Sequence, residues 1–441
     1  MSKTPNTKGD RHLPFIEKLL DRADVEWKAL GEVCGFKNGF AFKSSRFKEE
    51  GLPIIRITNI DGRNVDLSDV KYFDPEDYTR GNPLNYSIVK GDVLIAMSGA
   101  TTGKIGYYDL SETAYLNQRV GKFEPNEGIL NNRFLYHFLL TKADFIYVLA
   151  GGGAQPNLSS NKLKAQLQIP IPCPNDPERS LQIQQEIVRI LDTFTELTAE
   201  LTAELTARQK QYAYYRERLL SFETTNDTKG TNVVWKALGD KSIGEFTRGG
   251  GLQKKDFTES GVGCIHYGQV YTHYGTYTYE TKSFVSEEFA KKARMAKHGD
   301  LIIATTSEND EDLCKAVAWL GDEDIAVSSD ACFYTHTLNP KYVAYYFQTE
   351  QFHKQKRPFI TGAKVRRVNA DNLAKIKIPV PSPEEQARIV SILDKFDTLT
   401  TSISEGLPRE IELREKQYEY YRDLLLSFPN TDHERHERHE N

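Results

Sequence analysis

No apolar run in this chain approaches the ~18–20 residues that a membrane-spanning helix requires, so no membrane partner is expected. The opening stretch MSKTPNTKGDRHLPF has no apolar signal core, so the chain is expected to stay in the cytoplasm. Cysteine is sparse. Cys34, Cys173, Cys264, Cys314 and Cys332 stand alone, without a C-x-x-C pair, which speaks against a zinc site or a disulfide framework. Positive charge is not in excess either, because the formal net charge is −5. Global charge is the wrong scale for a nucleic-acid binder, since binding depends on local clusters. The segment 351–377 carries Lys354, Lys356, Arg357, Lys364, Arg366, Arg367, Lys375 and Lys377 against the single acid Asp371. The segment 151–168 carries Lys162 and Lys164 and no acid.

Catalytic signatures are missing as well. Gly99-Ala100-Thr101-Thr102-Gly103-Lys104-Ile105 imitates a phosphate loop, but three residues separate the glycines where four are needed. Ile105 also stands where a magnesium-holding Ser or Thr is required, so a polar loop after a strand is expected. Asn339-Pro340-Lys341-Tyr342 imitates the Asn-Pro-Pro-Tyr/Phe signature of amino-methyltransferases without its second proline. It reads better as a helix start. No Ser/His/Asp or Cys/His grouping stands out, and the acids form no metal-binding nuclease pattern. The tail His433–His439 is interleaved with acids and arginines and reads as a solvated tail, not a metal tract.

What is present is written twice. Trp27-Lys28-Ala29-Leu30-Gly31 returns as Trp235-Lys236-Ala237-Leu238-Gly239, and Gly91-Asp92-Val93-Leu94-Ile95-Ala96 returns as Gly299-Asp300-Leu301-Ile302-Ile303-Ala304. Arg208–Arg216 returns as Arg414–Arg422. Each half opens with a Gly-rich, aromatic, strand-prone part and exits through Ile169-Pro170-Ile171-Pro172 or Ile378-Pro379-Val380-Pro381, where proline blocks continuation. Helical stretches follow. Ile183, Ile187, Ile190, Phe194, Leu197 and Leu201 step by four and three, as in a coiled-coil seam. The tandem Thr198-Ala199-Glu200-Leu201, Thr202-Ala203-Glu204-Leu205 inserts a stutter. The seam resumes at Tyr212, Tyr215, Leu219 and Phe222. The second copy runs Ile389, Ile392, Phe396, Leu399, Ile403, then Tyr418, Tyr421, Leu425, Phe428, with a break expected at Gly406 and Pro408.

The expected fold is therefore α+β and internally duplicated. Two mixed α/β domains are separated by two long helices paired as an antiparallel coiled coil. The expected boundaries are an N-terminal segment 1–26, a first domain 27–170, a central helical spacer 171–225, a second domain 226–380, a C-terminal spacer 381–429 and a tail 430–441. A duplicated body suits a target that is itself bipartite, such as duplex DNA read at two half-sites.

The chain resembles the specificity subunit (HsdS) of type I restriction–modification systems. The resemblance is carried by the duplicated Trp-Lys-Ala-Leu-Gly openings, GDVLIAMSGATTGKIG at 91–106, Leu116-Asn117-Gln118-Arg119-Val120 and GGGAQPNLSSNKL at 151–163. The Ile-Pro exits and the QQEIVRILD and EEQARIVSILD helix starts add to it, and the Thr-Ala-Glu-Leu tandem resembles the linker of the type IC branch. The resemblance implies a DNA reader without catalysis or cofactor of its own, each globular target-recognition domain taking one half of a bipartite asymmetric site. It implies double-stranded DNA, two methyltransferase subunits and two restriction/translocase subunits as partners. S-adenosylmethionine, ATP and magnesium belong to those partners.

Base readout needs forked or flexible polar side chains, and phosphate contact needs Lys, Arg, hydroxyls and backbone NH groups. On that chemistry the first-half candidates are Lys43, Arg56, Asn59, Thr101, Thr102, Lys104, Gln118, Arg119, Gln155, Asn157, Ser159 and Lys162. The second-half candidates are Lys254, Lys255, His266, Gln269, Ser307, Asn309, Lys364, Arg366 and Arg367. Tyr267, Tyr271 and Tyr274 carry rings able to stack on bases, but aromatic residues at strand spacing are more often core, and that is the expectation for them. Two alternatives stay open beside the DNA reader. One is a diverged DNA methyltransferase or nuclease with its own active site. The other is a pure coiled-coil scaffold, against which the basic clusters speak.

Overall fold

The computed structural model describes residues 23–153, 156–222, 233–402 and 404–428. Gln155, Ile403 and the histidine-rich tail lie outside them. The chain divides into two compact units, 1–199 with 413–441, and 200–412.

In the first unit the strands are β1 (Val25–Ala29), β2 (Cys34–Asn38), β3 (Leu52–Ile55), β4 (Lys71–Phe73), β5 (Ser87–Ile88), β6 (Val93–Ala96), β7 (Ile105–Tyr107), β8 (Ala114–Leu116), β9 (Val120–Pro125) and β10 (Gln168–Pro172). They form sheets in the order β2-β9-β6-β7 and β4-β3-β8-β5, plus the ribbon β1-β10. Trp27 sits opposite Pro170 in that ribbon. A two-stranded ribbon has open edges, so prolines that lack a donor are tolerated there.

The Val93–Ala96 run is apolar throughout because both of its faces are covered. Val93 and Ile95 enter one core with Phe134, Phe138, Ile187 and Leu191. Leu94 and Ala96 enter a second with Ile55, Leu116 and Val120. Asn131 opens the Asn132–Leu140 helix by accepting from Arg133 N and Phe134 N.

The second unit repeats this plan with added strands. They are β11 (Val234–Ala237), β12 (Gly244–Arg248), β13 (Phe257–Thr258), β14 (Val262–Ile265), β15 (Tyr277–Thr278), β16 (Ser283–Val285), β17 (Met295–Ala296), β18 (Leu301–Ala304), β19 (Thr306–Ser307), β20 (Ala316–Trp319), β21 (Ile325–Val327), β22 (Ala331–His336), β23 (Arg366–Arg367) and β24 (Lys377–Val380). Sheet orders are β12-β22-β18-β20-β15 and β13-β16-β14-β21-β17, with ribbons β11-β24 and β19-β23. Leu301 and Ile303 face one core, Ile302 and Ala304 the other. Tyr274 is buried there and Tyr267 and Tyr271 pack against it, as expected. Asn339 caps the Pro340–Tyr346 helix, so Asn-Pro-Lys-Tyr is a helix start.

Pro177–Leu220 is one continuous helix through the tandem repeat. The second helical stretch is interrupted, as Gly406 and Pro408 indicate, into Pro383–Thr401 and Leu407–Leu425. Gly406 holds φ +82°, and a Cβ there would lie 2.4 Å from the Thr398 carbonyl oxygen, so only glycine turns the chain without strain. In the first unit Phe194 stacks on Tyr421 at 5.2 Å. In the second, Tyr215 stacks on Phe396 at 5.5 Å. The earlier part of one helix meets the later part of the other, and vice versa, which is the pairing order of an antiparallel pair.

Burial pushes His336 on β22 down to about 4 and His353 to about 4, from an ordinary value of 6.5. Both are neutral in the fold. Below pH ~6.5 the unfolded chain takes up these protons first, so stability is lost progressively as pH falls from ~6.5 toward 4. The melting temperature should therefore drop over that window. His336→Phe, which keeps a ring against Tyr334, should make the slope shallower between pH 7 and 4; an unchanged slope would assign the acid sensitivity elsewhere.

Candidate nucleic-acid interface

Strands β3 and β8 run parallel, with Ile55 beside Leu116, so their carboxyl ends lie together. The chain leaves them at Arg56 and at Asn117–Arg119. Met97 N donates to the Arg119 carbonyl at 2.8 Å, which brings in the loop after β6. Leu158 N donates to the Met97 carbonyl at 2.8 Å, and Ser98 pairs with Asn157, which brings in the loop after the Ala143–Leu149 helix. Four segments distant in sequence thus converge on one edge. Lys104, Gln118, Arg119, Asn157, Ser159 and Lys162 are exposed there or just beyond, and Thr101 is half-buried. Gly151 and Gly152 adopt positive φ, with open space where a Cβ would stand. Lys43 is exposed on the turn after Phe42.

Three candidates turn out to be internal braces. Asn59 is 3 % exposed. Its amide oxygen accepts from Arg56 N, and its amide nitrogen donates to the Asp66 and Asp69 carbonyls. Thr102 Oγ1 donates to the Gly99 and Pro156 carbonyls and ties two loops together. Gln269 repeats the Asn59 arrangement in the second unit, its Oε1 accepting from His266 N and its Nε2 donating to Ser283 Oγ. Arg56 is partly committed too, through an ion pair with Asp69 at 3.3 Å.

The same edge recurs in the second unit. Ile265 of β14 lies beside Val327 of β21 in parallel register. Thr305 N donates to the Asp330 carbonyl at 3.0 Å, and Val368 N to the Thr305 carbonyl at 3.2 Å. These two bonds repeat the Met97–Arg119 and Leu158–Met97 bonds of the first unit. His266 caps the Tyr267–Thr272 helix, and burial, then Lys254, lowers its pKa. Lys254 and Lys255 are exposed on the turn before β13. Ser307 and Arg366 face each other across β19 and β23. Asn309 is exposed but hydrogen-bonded at both ends of its side chain to Asp312. Arg366 is held by Asp310 at 3.1 Å and by the Gly362 carbonyl. Lys364 and Arg367 are exposed, with no side-chain partner among the described residues. A cleft of about 290 Å³ opens between Arg248, Thr305, Asp330, Arg367 and Asn369.

One cation of the basic segment does not belong to the surface. Lys356 is 1 % exposed. Its Nζ donates to the carbonyls of Leu313 at 2.6 Å, Asp310 at 2.8 Å and Glu311 at 3.5 Å. It clamps the loop that carries Asp310, and burial lowers its pKa. The signal was its place one helical turn after the buried Phe352.

Each half of the chain thus presents a loop edge rich in cations and amides on a repeated fold, which defines a two-domain binding protein with helical connections. The family described as "Type I restriction modification DNA specificity domain" matches residues 23–208 and 235–413, and the chain belongs to it. It is 35% identical to the type I restriction enzyme EcoR124I/EcoR124II specificity subunit of Escherichia coli, over 95% of this chain and 98% of that one. It is 34% identical to a putative type I restriction enzyme specificity subunit of Haemophilus influenzae, over 94% and 98%. The fold is similar to the crystal structure of the S subunit of a type I restriction–modification system from M. genitalium. The TM-score is 0.53 at 15% identity, covering 93% of this chain and 98% of that one.

The two arginines of β23 should differ in effect. Arg367→Ala is expected to weaken DNA binding about uniformly across sequences and to reduce the salt slope by roughly one. Arg366→Ala, already paired with Asp310, should reduce it less. Titrations at several salt concentrations check this, and equal slopes for wild type and Arg367→Ala would return Arg367 to the solvated surface.

Proposed function

We propose that this chain is the non-catalytic DNA-reading subunit of a type I restriction–modification complex in the cytoplasm. Residues 27–170 and 226–380 each read one half of a bipartite, asymmetric site in double-stranded DNA. The helical segments set the spacing of the two readers and dock two methyltransferase subunits. Those subunits carry the S-adenosylmethionine chemistry, and two restriction/translocase subunits use ATP and magnesium. The observation that carries this reading is the duplicated edge, where equivalent backbone bonds support different side chains. A shared scaffold with private side chains is what two different half-sites require.

Exchanging residues 27–170 for the corresponding domain of a relative should change one half-site only, as mapped by methylation-site sequencing. A change in both half-sites at once would sink the two-reader reading. Binding of S-adenosylmethionine by the isolated chain would instead favour the enzyme alternative.

The helices also offer a partner surface. Tyr212 and Tyr418 are buried, each in the core of its own unit. The neighbouring Tyr214 and Tyr420, at equivalent positions of the duplicated motif, are 57 % and 54 % exposed. Aromatic rings on a helix face are suited to anchoring a protein partner. Tyr214→Glu with Tyr420→Glu should weaken assembly with the methyltransferase by roughly tenfold or more while leaving the melting temperature of the chain unchanged. Co-purification and calorimetry measure both, and undiminished assembly places the docking surface elsewhere.

A further inference from the structure

The edge of the second unit contains an acid where the first unit has a base. Arg119 and Asp330 occupy the same place in the fold. Each sits in a tight turn that carries the chain from one sheet to the other: Val120 N donates to the Asn117 carbonyl at 2.8 Å, and Ala331 N to the Ser328 carbonyl at 3.0 Å. The residue after each accepts the same strand-end amide, Gly39 N to Val120 O at 3.1 Å and Gly249 N to Ala331 O at 3.0 Å. With the Met97–Arg119 and Thr305–Asp330 bonds, the two turns make equivalent backbone bonds, and the side chain at this place changes sign.

Asp330 lines the cleft that Arg367 and Arg248 also line. Its carboxylate has one long contact, from Thr306 Oγ1 at 3.4 Å, and no cation within ion-pair distance among the described residues. A carboxylate at that edge repels phosphate, so it cannot be a backbone contact. It is an acceptor only, and the base edges that satisfy an acceptor are those with an exocyclic amino group. Adenine sets the acceptor N7 beside its amino group, which opposes a carboxylate, whereas cytosine offers the N4 amino group alone.

We propose that Asp330 is a specificity-determining residue of the second reader, accepting a hydrogen bond from the N4 amino group of a cytosine in the major groove, at the position where the first reader offers Arg119. This rests on the DNA-reading function argued above.

The test uses the full chain with its methyltransferase subunits and a panel of duplexes in which each base pair of each half-site is substituted in turn. Wild type should discriminate for cytosine by roughly tenfold or more at one position of one half-site. Asp330→Asn, whose amide offers both an acceptor and a donor, should shift that one position toward adenine and leave every other position unchanged. Asp330→Ser, which keeps an oxygen for the Thr306 hydroxyl, should relax the same position without a new preference, and guards against reading a misfolded variant as a lost contact. An unchanged profile in both variants, or a uniform loss across all duplexes in both, overturns the proposal. Absence of any half-site preference in wild type would instead sink the DNA-reading function itself.

Discussion

Asp192 and Asp394, the last residues of the repeated Ile-Leu-Asp motif, each fasten a helix to the domain beside it. In the first unit Asp192 Oδ1 lies 2.8 Å from His137 Nε2 and 2.9 Å from Arg133 Nε. The other nitrogen of the wholly buried His137 meets the Tyr418 hydroxyl at 2.9 Å. Burial raises the Asp192 carboxyl, but His137 and Arg133 outweigh it and hold the pKa below its usual range. In the second unit Asp394 accepts from the Tyr345 hydroxyl at 2.6 Å and from Lys341 Nζ at 2.8 Å. Removing one partner of such a partly buried network strands the others and costs on the order of 3–5 kcal/mol, more than the network contributes to stability by existing. Its value is registry. Each acid selects one rotation of its helix against the domain.

The two edges reach similar backbone positions by different means. The first uses a short loop after β6 whose tightness comes from Gly99 and Gly103, both at positive φ, with Thr102 as a tie. The second uses a longer loop that cannot close on itself by glycine geometry. There Lys356 gathers three carbonyls from beneath, and Cys314 takes a positive φ of 67° to re-enter the sheet. Burying an ammonium is expensive unless its protons are satisfied, and three carbonyls satisfy them.

Much of this architecture was legible in the sequence because it follows from repetition and punctuation. The duplicated Gly-Asp-Val/Leu-Leu/Ile-Ile-Ala runs announced twin strands, the Ile-Pro exits announced the passage from strand to helix, and Gly406 announced the interrupted helix. The edge was harder to read because composition does not distinguish a side chain aimed outward from one turned back to brace its own loop. Asn59 and Thr102 have reader chemistry but spend it on backbone, and Gln269 spends it on the His266 amide and the Ser283 hydroxyl. Lys356 counted as surface charge until its helical phase was known. Asp330 is neither a cation nor an amide, and its meaning comes from standing where the first unit has Arg119. The helix tyrosines were legible as a motif, but which ring is covered depends on rotation set by Asp192 and Asp394.

The division of the chain between units bears on the order in which a ribosome can finish them. Residues 200–412 are contiguous, so everything the second unit needs has been made before the last stretch emerges. The first unit is begun first, yet its core includes Tyr418, Leu425 and Phe428. Until those residues are synthesised, the apolar seat beside Phe134 and Phe194 stays open to water or to a chaperone. The half that is translated first is therefore the half that is completed last.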